Sequence, residues 1–187
     1  MEETVDTQTA ILRSAVDLLR EHTFEDISYL DLAEASAVSE RTIYRRFPTR
    51  SHLLEALARW IEIERFPLSE FHTPSEFRAA VRERFRAYGT APGFAFVAAR
   101  GAALSPTTET PSARLAQAIV AMLEEAAPTL NGRDTKRIAA AALYFASPIF
   151  WARMRAGFDM NADETFEAFD RAILQVLATT PEVSWAA

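Results

Sequence analysis

The chain has 187 residues, 49% of them hydrophobic, with 26 acids against 20 bases and a formal net charge of -6. That length allows one domain with a sizeable core, or a module of about 50 residues joined to a larger one, and the composition is that of a globular protein rather than a disordered one. The absence of cysteine excludes a disulfide framework, an iron-sulfur cluster and a thiol nucleophile, and is consistent with a reducing compartment.

The first ten residues, MEETVDTQTA, are acidic and polar where a signal peptide would be basic and then apolar. No apolar run approaches the roughly 18 residues needed to span a bilayer, so a cytoplasmic chain with no membrane partner is expected. The first proline is Pro48, and breaker-rich stretches follow at 66–76, 105–112, 127–134 and 156–163. The segments between them have helical composition and none reads as a strand ladder. The fold class expected is all-α, with about nine helices, short at the front and longer behind.

In chain order, Ile11, Ala15, Leu18 and Leu19 share one face of a first amphipathic helix, and Phe24 lies just beyond its end. A second, short helix starts at Ser28, whose hydroxyl can cap free backbone donors while Asp31 sits in the first turn; Tyr29, Leu32 and Ala33 then face inward. After the tight connection SAVS, Ser39 can cap a third helix from Glu40 to Phe47, which Pro48 helps to end. Thr49 or Ser51 opens a linking helix to about Phe66. Further helices are expected near Ser75 to Tyr88, Pro92 to Leu104, Ser112 to Ala126, Asp134 to Ala156 and Asp163 to Thr179. Pro148 should kink the long one by freeing the carbonyl near Tyr144.

Arg41, Arg45, Arg46 and Arg50 fall within ten residues of an acidic chain. Two short helices joined by a tight turn, the second carrying the basic side chains, form a helix-turn-helix arrangement. Ile43 and Phe47 are one turn apart and can pack inward with Val38. Arg41, Tyr44 and Arg45 then stand together on the opposite side, flanked by Thr42 and Arg46, behind Ser39 and Glu40 at the helix start. Arginine can bind guanine edges or clamp phosphates, and hydroxyls can donate to phosphate oxygens. The other reading of the same residues is a solvated face paired with Glu40, Asp31 and Glu34.

The run FEDISYLDLAEASAVSERTIYRRFPTRSHLLEAL, Phe24 to Leu57, resembles the DNA-binding domain of the TetR family of bacterial transcription regulators. The motifs are a first helix ending before a phenylalanine, a turn with Val-Ser, then Thr-x-Tyr-x-x-Phe and a basic residue three positions on. The resemblance covers Thr9 to about Leu57; the rest is similar to the family only in helical pattern and length. It implies that Ser28, Thr42, Tyr44 and Arg50 contact phosphates, and that Arg41, Arg45 and Arg46 reach bases or phosphates. Departures are Ala37 where the family usually has glycine, Leu30 where a polar residue is usual, Arg46 where histidine or tyrosine is frequent, and Arg50 in place of lysine. The domains expected are a DNA-binding head at 1–50 and a ligand-binding and dimerisation body at 51–187.

For the body, Phe166, Phe169, Ile173, Val176 and Leu177 form an apolar stripe expected to serve a homodimer interface, beside the small residues of IAAAALYFA, Ile138 to Ala146. A pocket for a small-molecule effector is sought among Phe85, Tyr88, Phe94, Phe96, Met122, Tyr144, Phe145, Trp151 and Met154, with Arg100 as the one charge in its apolar segment. Each of these residues also fits plain core. His22, His52 and His72 show no metal-ligand spacing, and no phosphate loop or nucleophile elbow occurs. No enzyme, metal or cofactor is expected. The function expected is a ligand-responsive homodimeric repressor of a palindromic double-stranded operator, against the alternative of a helical module whose basic face binds an acidic protein.

Overall fold

Capping chemistry sets most helix starts. In the computed structural model, which describes the backbone of residues 2–103 and 111–178 and the side chains of 7–103 and 111–176, the Ser28 hydroxyl accepts from the Asp31 N–H while the Asp31 carboxylate accepts from the Ser28 N–H. This reciprocal pair satisfies two of the donors a helix start leaves free. Thr73 and Glu76 repeat it one domain later, with Pro74 in the first turn, where its missing N–H costs nothing. Ser39, Thr49, Asn131 and Ser147 cap four more helices.

Ten helices result among the described residues, with no strand: α1 Glu2–Leu18, α2 Tyr29–Ser36, α3 Glu40–Arg46, α4 Arg50–Glu64, α5 Pro74–Thr90, α6 Pro92–Ala102, α7 Pro111–Ala126, α8 Gly132–Phe145, α9 Pro148–Phe158 and α10 Ala162–Ala178. The tenth arises where a kink was expected. Pro148 does not bend a continuous helix but starts a new one, with Ser147 as its cap. Ser147 also donates its hydroxyl to the Tyr144 carbonyl at 2.7 Å, taking up an acceptor left free at the break.

The first three helices pack Ile11, Ala15, Leu32, Ile43 and Phe47 into a small core that continues along α4 into the body. α4 lies closest to α6, where Gly101 lets the backbones meet: a Cβ there would overlap that of Ala58 and stand 3.0 Å from the Leu54 carbonyl oxygen. Elsewhere α7 packs on α8, α5 on α10 and α6 on α9. Phe77, Phe85, Tyr88, Trp151 and Phe169 are fully buried, with successive ring centroids 5.4 to 6.1 Å apart. No helix among the described residues is long and apolar enough to cross a membrane.

Candidate nucleic-acid interface

The third helix divides as its spacing requires. Ile43 and the capping Phe47 are buried, whereas Glu40, Arg41, Tyr44 and Arg45 are exposed and Thr42 and Arg46 are half-buried. Among the described residues, Arg41 and Arg45 form neither a hydrogen bond nor an ion pair. Asp31, a candidate partner for them, is engaged in the α2 cap, and accepting from Ser28 holds its carboxyl below the usual carboxylate range. The Arg46 Nε is buried with no acceptor.

Tyr29 positions the helix from beneath. Its hydroxyl donates to the Phe47 carbonyl at 2.8 Å, and its ring meets that of Tyr44 edge-on at 4.6 Å. Tyr44 thus stands on a rigid aromatic base with 53% of its surface exposed. Thr42 shares a hydrogen bond with Ser39 at 3.0 Å. The turn before α3 is held by Ala37 in the left-handed region, φ 53°, where glycine is the residue without steric penalty.

Arg50 is placed differently from the phosphate contact that the resemblance implies. Its guanidinium turns inward, donating to the Ile27 carbonyl at 2.6 Å and to the Phe24 carbonyl, and lies 4.2 Å over the Phe24 ring. The two carbonyls belong to the loop between α1 and α2, which lacks helical donors of its own and so recruits this cation. Ser28, the other such contact, is exposed, but its hydroxyl is occupied by Asp31.

The residues expected to line a pocket in the body divide by burial. Phe85, Tyr88, Met122 and Trp151 are sealed in the core, and Phe94, Phe96, Phe145 and Met154 pack half-buried against it. Arg100 is exposed and pairs with Glu25 of the head, whose carboxyl it holds below its ordinary range. Of the ten residues, Tyr144 lines a cleft.

Two clefts of about 210 and 590 Å³ meet at a charge pair that the sequence reading missed. Arg84 of α5 donates to Glu62 of α4 at 3.0 Å, each side chain 6% exposed, and both residues line both clefts. Burial pushes the Glu62 carboxyl up and Arg84 pulls it back. A signal was present in the periodicity: Arg84 stands in register with Phe77, Val81 and Tyr88, on the stripe of α5 that should be apolar. The smaller cleft is walled by Leu115, Leu143, Tyr144, Pro148 and Ile149, and the larger carries Arg59, Ser69, Glu70, His72 and Arg114.

The stripe expected to face a second subunit is spent inside the protomer. Phe166, Phe169 and Ile173 are buried against neighbouring helices and Val176 packs half-buried on the same core, while the Leu177 side chain lies outside the described residues. The reason is that α10 has α5 and α8 to cover before it can cover anything else. Among its described side chains, the large apolar one that faces outward is Leu174, 45% exposed.

Comparison with known proteins places this geometry. Residues 11–57 match the family described as bacterial regulatory proteins, tetR family. No curated protein matches the chain. Among solved structures, a TetR transcriptional regulator from Rhodococcus sp. RHA1 superposes with a TM-score of 0.69 at 17% identity, over 95% of this chain and 98% of that one. A TetR-like transcriptional regulator from the same source gives 0.60 at 17% identity, over 92% and 96%. A TetR variant from Acinetobacter baumannii AYE in complex with minocycline gives 0.64 at 20% identity, over 91% and 94%.

Proposed function

We propose that the chain, whose residues 11–57 match the family of bacterial regulatory proteins, tetR family, is a helix-turn-helix regulator of that kind, a homodimeric repressor that binds a palindromic operator and is released by a small molecule. Residues 1–50 form the DNA-binding head and 51–187 the ligand-binding and dimerisation body. The observation that carries the reading is the exposed face of α3, where Arg41 and Arg45 have no partner among the described residues while the opposite face is buried. A guanidinium of this kind can donate two parallel hydrogen bonds to a guanine edge or hold a phosphate. Arg41, Thr42, Tyr44 and Arg45 supply these contacts, with Ser39 and Glu40 at the helix start. The acidic surface elsewhere repels phosphate, so affinity is confined to this face.

The dimer uses what α8 and α10 leave exposed. Leu174 faces outward on α10, which packs against α8, and the exposed side of this pair beyond the smaller cleft gives a self-complementary patch once a two-fold axis repeats it. Such an axis puts two copies of α3 about 34 Å apart, on successive major grooves. The effector occupies the clefts around Glu62 and Arg84, a choice supported by the minocycline-bound structure with the same fold only to the extent that such a body can hold a ligand. Release follows if the ligand binds better to the state with lower operator affinity.

The test is selection of bound sequences from random double-stranded DNA, with the wild type beside an Arg41→Ala, Arg45→Ala double variant. The expected outcome is an enriched palindrome that the variant loses while remaining a folded dimer. A basic face meant for an acidic protein would give no enrichment.

A further inference from the structure

The repressor reading leaves the ligand's chemistry open, and the inference that follows rests on that reading only for the role of the ligand. Arg84 supplies the starting observation. Its side chain is 94% removed from solvent, one of its terminal nitrogens donates to Glu62, and among the described residues its Nε has no acceptor although the residue lines both clefts. A buried N–H without an acceptor is destabilising, and a ligand oxygen brought to it removes that cost.

Charge decides which oxygen. At the junction Glu62 is already engaged by a terminal nitrogen of Arg84, and Arg114 adds a second guanidinium to the larger cleft, so a cation set against the Arg84 Nε would meet like charge. An anion balances it, and a carboxylate suits the planar guanidinium better than any point charge does. The smaller cleft on the other side of Arg84 offers the side chains of Leu143, Tyr144 and Pro148, a surface for hydrocarbon. We propose that the junction of the two clefts binds an amphipathic monocarboxylate, its carboxylate accepting from the Arg84 Nε and its apolar body lying against Leu143, Tyr144 and Pro148.

The experiment is calorimetric titration of the full chain with decanoate, decanol and decyltrimethylammonium, each below its aggregation threshold, which hold the tail constant and change the head. The expected result is saturable binding of decanoate at least about tenfold tighter than decanol, a difference of about 1.4 kcal/mol, with no binding of the ammonium. Arg84→Lys keeps the charge opposite Glu62 but lacks the planar fork; it should weaken decanoate about tenfold and leave decanol unchanged. Glu62→Gln, close in shape, removes the competing anion and should tighten decanoate. Equal or tighter binding of the ammonium, failure of all three ligands to bind, or decanoate binding undiminished in Arg84→Lys would overturn the proposal. So would weaker decanoate binding in Glu62→Gln, which keeps the test decisive if the lysine variant does not fold. Operator affinity is measured in parallel. Decanoate that binds as expected without changing it supports the ligand class and removes the repressor mechanism, whereas a chain that binds operator and no decanoate loses this inference alone.

Discussion

In the body, three arginines of α5 are cross-links: Arg78 grips Asp170 of α10 with two bonds of 2.6 and 2.8 Å, Arg86 reaches Asp163 at 2.9 Å, and Arg84 is held by Glu62 of α4. In the head, Arg41 and Arg45 of α3 point into solvent with no acid drawn toward them among the described residues. The same residue type therefore serves two ends, and the presence of a carboxylate partner among the described residues separates them. An arginine meeting a carboxylate in a dry interior is part of the fold, because removing either member strands a charge. An arginine left without a partner on a helix that is otherwise well packed is available to something outside the chain. Arg50 lies between the two cases, a head residue that behaves like a body one.

Substitutions that invert these assignments test the contrast, and the largest effect is expected at the buried pair. Arg84→Met should destabilise the protein by about 3 to 5 kcal/mol at neutral pH, read by urea unfolding, since Glu62 is left ionised and buried. The carboxyl of Glu62 already titrates above its unfolded value, so its ionised form opposes folding. Losing Arg84 raises it further. The deficit should therefore shrink as pH is lowered toward the range where Glu62 is protonated in the folded state and grow as pH rises through it. A deficit that does not vary with pH would mean that Glu62 is not the group left exposed to the loss.

Arg50→Ala should cost about 1.5 to 3 kcal/mol of stability, the scale of hydrogen bonds from a charged donor, because the carbonyls of Phe24 and Ile27 lose their cation. If stability is unchanged and only DNA affinity falls, Arg50 belongs with Arg41 and Arg45, as the family resemblance implies. Gly101→Ala should cost about 1 to 3 kcal/mol by forcing α4 and α6 apart at Ala58. Its thermal midpoint falls while a head variant such as Arg45→Ala keeps the wild-type value, and similar losses in both would erase the distinction between a packed seam and an open face.

The two regions also differ in how far the sequence discloses them. The head is short-range: its caps at Ser28 and Ser39, its buried Ile43 and Phe47 and its exposed Arg41, Tyr44 and Arg45 follow from spacing within about twenty residues, and the described structure has each on that side. The body is long-range. Periodicity marks Phe166, Phe169 and Ile173 as an apolar stripe but does not say which helix covers it, and a single protomer covers it alone. Aromatic richness around Phe85 and Trp151 likewise cannot distinguish a filled interior from a cavity wall, since both need the same side chains. Arg84 and Glu62 were legible only as intruders on apolar stripes, and their meeting is a property of how α4 and α5 are set against each other. Arg50 differs again, since its position in a motif says nothing of the two carbonyls that turn it inward.

The smallest effect tests the head's own geometry. Ala37 holds φ 53° at the end of α2, and its N–H donates to the Ala33 carbonyl to close the helix. A β-carbon in that region is strained against the neighbouring carbonyl by about 1 to 2 kcal/mol, while glycine there is unstrained but loses more entropy on folding, about 0.5 to 1 kcal/mol. The first term exceeds the second, so Ala37→Gly should stabilise the chain by roughly 0.5 to 1 kcal/mol, a rise of a few degrees in Tm by calorimetry. Because the turn fixes the angle between α2 and α3 without touching the exposed arginines, operator affinity measured at saturating fold should stay within twofold of wild type. If the variant is less stable, Ala37 is not strained where it stands. If it is more stable but binds DNA more weakly, the stiffness of an alanine in this turn is itself part of how Arg41 and Arg45 are aimed.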